Sequence, residues 1–307
     1  MKERSAYIRG YKDSYLHTKT FEPVNQDIRG VLHILHGMGE YGERYRNFAE
    51  YLVGFGIAVV THDHRKHGKS IEGIDEVGIL GKHDTHINMV KDIDYVQSYL
   101  RARYKDVPVY ILGHSMGSIL LRYYLTQTEN DISKAILMGT LPKYNQAYIK
   151  LMRLIALLMG GTVSNKKRHR RLARMLNDGL AKKVPDAKTR LDWLSFNEAN
   201  VKAYINDPLC GYAYNKRFYR SFFSLIGLVN KKDVIAKTKP VPIMLISGDS
   251  DPINDEQKAL ESVNESYENV MPNHAVFVHK VEHARHEVLN EADAEKTYAA
   301  IRDWLIE

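Results

Sequence analysis

Cysteine, long apolar runs and an apolar leader are what this sequence has least of. Cys210 is the one cysteine among 307 residues, which excludes an intramolecular disulfide. The sequence contains no run of 18 or more apolar residues, which is the length that a membrane-spanning helix needs. The first residues, "MKERSAYIRG", lack the apolar centre of a signal peptide. These absences predict a protein of a reducing, cytoplasmic compartment.

Positive charge is unevenly distributed along the chain. Residues 142–240 contain 21 Lys and Arg against 6 Asp and Glu, a net charge of +15, whereas the rest has 23 against 31, a net charge of −8. The excess of +7 for the whole chain therefore comes from one middle segment, and a partner attracted by charge would meet that segment.

Short apolar runs alternate with segments of helical spacing on both sides of this middle segment. After an apparent hairpin near the start, buried strands are predicted at 31–37, 57–63, 107–114, 134–140, 241–249 and 275–280. Helices are predicted between them, at 44–52, 88–104, about 255–263 and about 287–306. Strands that alternate with helices predict an α/β fold with a doubly wound, mostly parallel sheet.

The middle segment interrupts this alternation. It contains no convincing buried strand, its apolar residues follow a helical period, and it includes "YIKLMRLIALLMGG". We therefore divide the chain into a core, residues 1–141 and 240–307, and an inserted helical unit, residues 142–239.

The stretch "GHSMG", residues 113–117, fits the pattern G-x-S-x-G. In that pattern a sharp turn between a strand and a helix exposes the serine, and small residues on either side relieve crowding. The strand "VPVYIL" precedes it and the helical "SILLRYYLTQT" follows. Ser115 is therefore predicted to be a nucleophile.

A serine hydroxyl needs a base to take its proton and a carboxylate to orient that base, here expected in the order Ser, acid, His. The acid candidates are Asp249, Asp251 and Asp255; we favour Asp251, with Asp249 as a turn-forming alternative. Among the histidines, His279 is expected to be structural within a strand. His286, at the start of the last predicted helix, is the favoured base, and His283 is an alternative.

The oxyanion of an acyl-transfer intermediate needs backbone donors. The N–H of Met116 follows the nucleophile at the start of a helix. The N–H of Met38 is the expected second donor, because Gly37 permits a close backbone approach in "LHILHGMGEYGERY". His36 is expected to shape the turn there. This chemistry requires neither a cofactor nor a metal.

Together these blocks resemble the α/β-hydrolase fold, and within it the branch of monoacylglycerol lipases, lysophospholipases and serine aminopeptidase-like proteins. The resemblance rests on "HGMGEYGERY", "HDHRKHGKS", "GHSMGS", "SGDSDPI" and "ARHEVLNE", in this order. It implies a triad of Ser115, Asp251 and His286, with oxyanion donors at Met38 and Met116. It also implies that the insertion is a lid over an acyl-binding tunnel. The second block departs from the family at Lys66, where glycine is usual.

Two rival motifs are weaker. His62, His64 and His67 are similar to a zinc run of metallo-hydrolases, but the aspartate of that run would fall at Lys66. "HGKS" lacks the earlier glycine of a phosphate-binding loop, because position 63 is Asp.

The insertion leaves its own alternatives open. "NKKRHRRLAR", residues 165–174, is either a solvated helix face or a basic surface that meets anionic membranes beside apolar side chains. It matches no nucleic-acid module, so no nucleic-acid partner is expected.

We predict a serine carboxylic-ester hydrolase acting on small acyl esters such as monoacylglycerols or lysophospholipids. An aminopeptidase of the same fold, with Glu198 as a candidate to hold a substrate amine, and a non-catalytic small-molecule receptor are the alternatives.

Overall fold

Eight strands form one sheet in the computed structural model, which describes residues 1–158, 167–185, 187–254, 258–271 and 275–307. The strands are β1 (Lys2–Arg9), β2 (Tyr15–Glu22), β3 (Gly30–Leu35), β4 (Ile57–His62), β5 (Val109–His114), β6 (Lys134–Met138), β7 (Ile243–Gly248) and β8 (Val276–Val281). Their order across the sheet is β1-β2-β4-β3-β5-β6-β7-β8. The hairpin β1–β2 joins β4 in antiparallel pairing, and all other neighbours are parallel.

The central strands are apolar on both faces because helices cover both. Every residue of β3, β4, β5 and β7 is buried, as expected for parallel strands between two helical layers. The edge strand β8 is only partly covered. The predicted doubly wound, mostly parallel sheet is therefore confirmed.

Ten α-helices surround the sheet in the described residues. They are α1 (Arg46–Val53), α2 (His86–Arg103), α3 (Met116–Tyr124), α4 (Gln146–Leu158), α5 (Arg170–Ala181), α6 (Glu198–Asn206), α7 (Lys216–Val229), α8 (Lys232–Ile235), α9 (Lys258–Glu268) and α10 (Glu295–Ile306). Helices α2, α3 and α9 pack on one face of the sheet, and α1 and α10 pack on the other.

Helices α4 to α8 all lie between β6 and β7, where the insertion was predicted. The β-pairing described within this region is a single bridge between Arg168 and Asn215. We call α4 and α5 the outer helices, and residues 187–230 the anchored segment. That the insertion is a separate lid with limits at 142 and 239 stays a prediction.

The last helix begins later than its spacing predicts. We expected a helix from about residue 287, directly after His286, but α10 begins at Glu295. The carboxylates of Glu287 and Glu291 instead accept hydrogen bonds from other segments, and residues 287–294 form turns. His286 consequently lies in a loop. Helix α9 extends to Glu268, and residues 255–257 of its predicted start lie outside the described residues.

Lys66, where the second block differs from the family, lies in a left-handed turn. Lys66 has φ of +65°, a conformation in which glycine carries no steric cost. Its Nζ lies 2.6 Å from a carboxylate oxygen of Glu76. The lysine therefore adopts the backbone geometry that a glycine would favour.

Within the described ranges, no helix is long and apolar enough to cross a bilayer.

Candidate active site

Ser115 occupies a strained turn between β5 and α3. Its φ is +51° and its ψ is −114°, a conformation that costs a non-glycine residue about 1–3 kcal/mol and persists where the surroundings enforce it. Its N–H donates to the carbonyl of Met138 on the neighbouring strand, 2.9 Å away. The turn presents the side chain of Ser115 at the carboxyl edge of the sheet, as the motif predicts.

The two glycines of the motif allow this turn to pack closely. A Cβ at Gly117 would lie 2.1 Å from the carbonyl oxygen of Leu35, and one at Gly113 would lie 2.5 Å from the carbonyl oxygen of Gly117. A side chain at Gly117 would push the turn away from β3, and one at Gly113 would push the start of α3 away from β5, so the motif's spacing has a direct steric cause.

His286 and Asp251 meet at the same edge of the sheet. The Nδ1 of His286 donates to Oδ2 of Asp251 at 2.8 Å, and both side chains are almost completely buried. Asp251 also accepts the hydroxyl of Ser247 and the N–H of Ile253. These contacts fix the ring so that its second nitrogen, Nε2, is the available proton acceptor.

Nε2 of His286 is buried without a hydrogen-bond partner among the described residues. Ser115 and His286 line the same cavity. The structure thus brings the three predicted residues to one place, while the Ser115 hydroxyl is not hydrogen-bonded to the ring. Such a bond often forms only when substrate is bound.

The alternative acids and bases lie elsewhere. Asp249 accepts the N–H of His283 and the hydroxyl of Ser250, which is the turn-forming role proposed for it. His283 is exposed, and His279 lies on β8. Asp255 lies outside the described residues.

The loop after β3 carries the predicted oxyanion donor. The N–H of Gly37 donates to Oε1 of Glu40 at 2.6 Å, and the N–H of Gly39 donates to the hydroxyl of Tyr214. The N–H of Met38, between them, has no such partner among the residues described. Met116 is the first residue of α3, so its N–H belongs to the donors that a helix start leaves unpaired.

The side chain of His36 hydrogen-bonds to this loop and to the end of the neighbouring strand β4. Its Nδ1 contacts the carbonyl of Gly37 at 2.8 Å, and its Nε2 accepts the N–H of His64 at 2.9 Å. The ring joins the ends of two neighbouring strands, which agrees with the turn-shaping role expected for it.

A buried ionic network lies beneath Ser115. Glu40 accepts Nδ1 of His114 at 2.8 Å, the hydroxyl of Tyr45 at 2.9 Å and a guanidinium nitrogen of Arg44 at 3.0 Å. Burial opposes the charge on Glu40, but the hydrogen bond and charge of His114, together with Arg44, lower the pKa of its carboxyl. Burial likewise opposes a charge on His114, but Glu40 raises the pKa of that imidazole.

Arg44 extends this network to the loop of His286. It contacts both carboxylate oxygens of Glu287, at 2.5 and 2.8 Å. Burial raises the pKa of Glu287, but the charge and hydrogen bonds of Arg44 outweigh burial and lower it overall. The loop after β3, His114 and Glu287 are therefore linked by four ionisable side chains, those of Glu40, Arg44, His114 and Glu287.

Sequence reasoning missed this network. Glu40 and Arg44 lie in "HGMGEYGERY", and Glu287 in "ARHEVLNE", two of the blocks used above. Their presence in those blocks was the available signal, but nothing in the spacing indicated that the two blocks touch.

Residues 26–293 match a protein-family model described as serine aminopeptidase, S33. The chain belongs to this family. The predicted class, a serine hydrolase enzyme, is thereby confirmed. The predicted resemblance to serine aminopeptidase-like proteins is confirmed as well.

Several relatives of this S33 chain carry names that refer to lipases or esterases. It is 26% identical over 243 residues to a monoglyceride lipase homolog of monkeypox virus, covering 79% of this chain and 78% of the relative. It is 25% identical to the human monoglyceride lipase, covering 80% and 72%. A carboxyl esterase of Bacillus coagulans, 23% identical, superposes with a TM-score of 0.86 over 99% of this chain and 98% of the other. The α/β-hydrolase fold is confirmed.

A cavity of about 780 Å³ opens onto Ser115 in this S33 member. The core contributes residues 37–40, Ser115, His286 and Pro252–Ile253 to its lining. The insertion contributes mostly apolar side chains, among them Ile149, Met152, Leu176, Tyr219, Phe222, Phe223 and Ile226. The insertion therefore supplies most of an apolar wall, together with polar side chains such as Lys143, Asn177 and Lys183.

The three histidines of the rival metal motif are buried, and two of them hydrogen-bond to protein groups, whereas the ring nitrogens of His64 have no hydrogen-bond partner among the described residues. His67 contacts the carbonyl of Arg65 through Nδ1 and the hydroxyl of Tyr214 through Nε2, and His62 pairs with His33 at 2.8 Å. Burial lowers the pKa of His62, His64 and His67 well below the usual value. Within the described ranges, no group of three potential ligands is placed to hold a metal.

Proposed function

We propose that this protein is a serine carboxylic-ester hydrolase. Ser115 Oγ attacks the acyl carbonyl while Nε2 of His286 takes its proton, and the N–H groups of Met38 and Met116 stabilise the oxyanion. The protonated ring then gives its proton to the departing alcohol, leaving an acyl-enzyme on Ser115. Water attacks this ester with His286 as base and releases the fatty acid. Asp251 orients the ring and stabilises its charge throughout.

The observation that carries this proposal is the hydrogen bond from His286 to buried Asp251 at the cavity that Ser115 lines. Its geometry commits Nδ1 to the carboxylate and leaves Nε2 as the base. No other pair among the alternatives that we weighed has this arrangement within the described residues.

The cavity favours a substrate with one acyl chain, such as a monoacylglycerol or a lysophospholipid. Its volume of about 780 Å³ is in the range of sites for drug-sized ligands. Its walls carry the apolar side chains of α4 and α7. The names of the relatives, monoglyceride lipases and a probable lysophospholipase, point in the same direction.

The aminopeptidase alternative lacks a free acid for the substrate amine. Among the described residues that line the cavity, the carboxylates are Glu40 and Glu287, and both contact Arg44. Glu198 is exposed on α6, bonds to Lys188 and does not line the cavity. A protonated amine would therefore find no unpaired carboxylate in the described wall.

The Ser115→Ala variant tests this function. We expect it to abolish ester turnover and labelling by a fluorophosphonate probe, with Ser224→Ala, an exposed serine on α7, retaining both. Wild-type rates in Ser115→Ala would overturn the assignment.

A panel of p-nitrophenyl esters, monoacylglycerol, lysophospholipid and aminoacyl amides tests the substrate class. A preference for the amides would favour the aminopeptidase, and binding without turnover would favour a receptor.

We also propose that the outer helices touch anionic membrane surfaces. Tyr148, Leu151, Leu154 and Leu158 are 43–68% exposed on α4, and arginines are exposed on α5. Exposed apolar and basic side chains side by side are typical of interfacial binding. Flotation with liposomes should show binding that rises with anionic lipid and falls with salt. Binding insensitive to both would contradict the proposal.

A further inference from the structure

We propose that Glu291 is a positioning residue that holds the loop of His286 against the anchored segment. This inference rests on the proposed role of His286 as the base. It gives part of the insertion a function in catalysis that is separate from lining the cavity.

Glu291 collects donors from two segments of the chain. Its carboxylate, 7% exposed, accepts the N–H of Arg285 at 2.8 Å. From the anchored segment it accepts the hydroxyl of Ser195 at 2.7 Å and the N–H groups of Phe196 at 2.9 Å and Asn197 at 3.2 Å. Hydrogen bonds to a carboxylate are stronger than those between neutral groups, so one side chain joins the two segments firmly.

The residues on both sides of His286 are fixed by these contacts. The N–H of Arg285, before it, donates to Glu291, and the N–H of Glu287, after it, donates to the carbonyl of Leu194 at 2.7 Å. The guanidinium of Arg285 also donates to the carbonyl of Asp192 at 2.7 Å. The residues on either side of His286 are thus attached to the anchored segment directly, at Leu194 and Asp192, and indirectly through Glu291.

The same segment reaches the ring itself. The ring centroid of Trp193 lies 5.0 Å from that of His286, and Nε1 of Trp193 donates to Asn177 at 3.2 Å. Glu291 accepts hydrogen bonds from residues 195–197, which follow Trp193 closely, so this carboxylate supports both the contact with the ring and the contacts with the backbone.

Glu291→Gln tests this role, because the new amide would present donors to N–H groups that need acceptors. A base displaced by about 1 Å can cost about 100-fold in rate, so we expect kcat to fall about 10- to 100-fold with KM within about twofold. Glu22→Gln is the matched control. Glu22 is also 7% exposed and bonds to Arg103 and Tyr104 away from the site, so its loss should lower Tm but leave kcat unchanged.

A cycle with His286→Ala separates positioning from a general loss of structure. If Glu291 acts through His286, adding Glu291→Gln to His286→Ala should not lower the residual hydrolysis of a p-nitrophenyl ester any further. A loss in that background as large as the loss in wild type would overturn the inference. The inference would also be overturned if Glu291→Gln kept full kcat while the single variant His286→Ala was inactive. That outcome would leave the proposed function intact.

Wild-type turnover in His286→Ala itself would instead contradict the proposed function. If Glu291→Gln does not fold, Ser195→Ala and Glu291→Asp replace it. We expect each to lower kcat several-fold at unchanged KM, and wild-type kcat in both would overturn the inference.

Discussion

The two parts of the insertion differ in what they touch. The outer helices expose much of their apolar surface, and Leu172 is the buried residue of α5. In the anchored segment, α7 buries eight residues, and the chain before it bonds to both the loop after β3 and the loop of His286. The outer helices resemble a surface, and the anchored segment resembles an extension of the core around the proposed active site. An insertion in the sequence therefore need not act as one unit.

This comparison predicts first a large difference in stability. Phe218 on α7 is fully buried, whereas Leu154 on α4 is 48% exposed. Phe218→Ala should lower the free energy of unfolding by about 3–5 kcal/mol, from lost burial and the cavity left behind. Leu154→Ala should change it by less than about 0.5 kcal/mol. Urea unfolding of both variants measures the difference, and equal losses would remove the distinction between the two parts.

The contact of α7 with the core should also make stability depend on pH. His86 packs between Phe218 and Phe222, and burial lowers its pKa from 6.5 to about 3. Between these values the unfolded chain binds a proton that the folded protein excludes, so stability falls as the pH drops below about 6.5. His33, with its pKa also lowered to about 3, acts in the same direction, whereas the raised pKa of His114 acts oppositely.

His86→Leu removes one such proton. From pH 7 to pH 5 this variant should lose about 2 kcal/mol less stability than the wild type. Urea unfolding at the two pH values measures the loss. An unchanged loss would show that His86 is protonated in the folded protein as readily as in the unfolded chain.

The smallest expected effect concerns the contacts that hold the loop with the proposed oxyanion donor Met38. Tyr214→Phe removes the acceptor for the N–H of Gly39 and the partner of His67. We expect kcat to fall about tenfold, equivalent to about 1.4 kcal/mol. Tyr124→Phe, another buried tyrosine whose hydroxyl bonds to Thr128 and Asp94, is the control. A loss of equal size in Tyr124→Phe would indicate a general loss of packing.

The sequence predicted the elements whose residues repeat at fixed intervals. The buried strands and Ser115 follow from local patterns, since a run such as "VLHIL" or a motif such as "GHSMG" needs only its own neighbours. The late start of α10 and the proposed role of Glu291 do not follow from local patterns. Both depend on backbone groups of residues 195–197, which lie more than 90 positions away in the sequence. Contacts between a side chain and a distant backbone leave no periodic signal.

The four charged groups beneath Ser115 have an evolutionary consequence. Glu40 and Glu287 carry negative charge, Arg44 carries positive charge, and His114 adds a second positive charge when protonated. Replacing Arg44 alone would leave the carboxylates of Glu40 and Glu287 without their shared guanidinium, which is far more costly than replacing a matched pair. Descendants of this sequence should therefore replace Arg44 only together with these carboxylates, and an ancestral intermediate with Arg44 alone altered should be hard to recover as a folded protein.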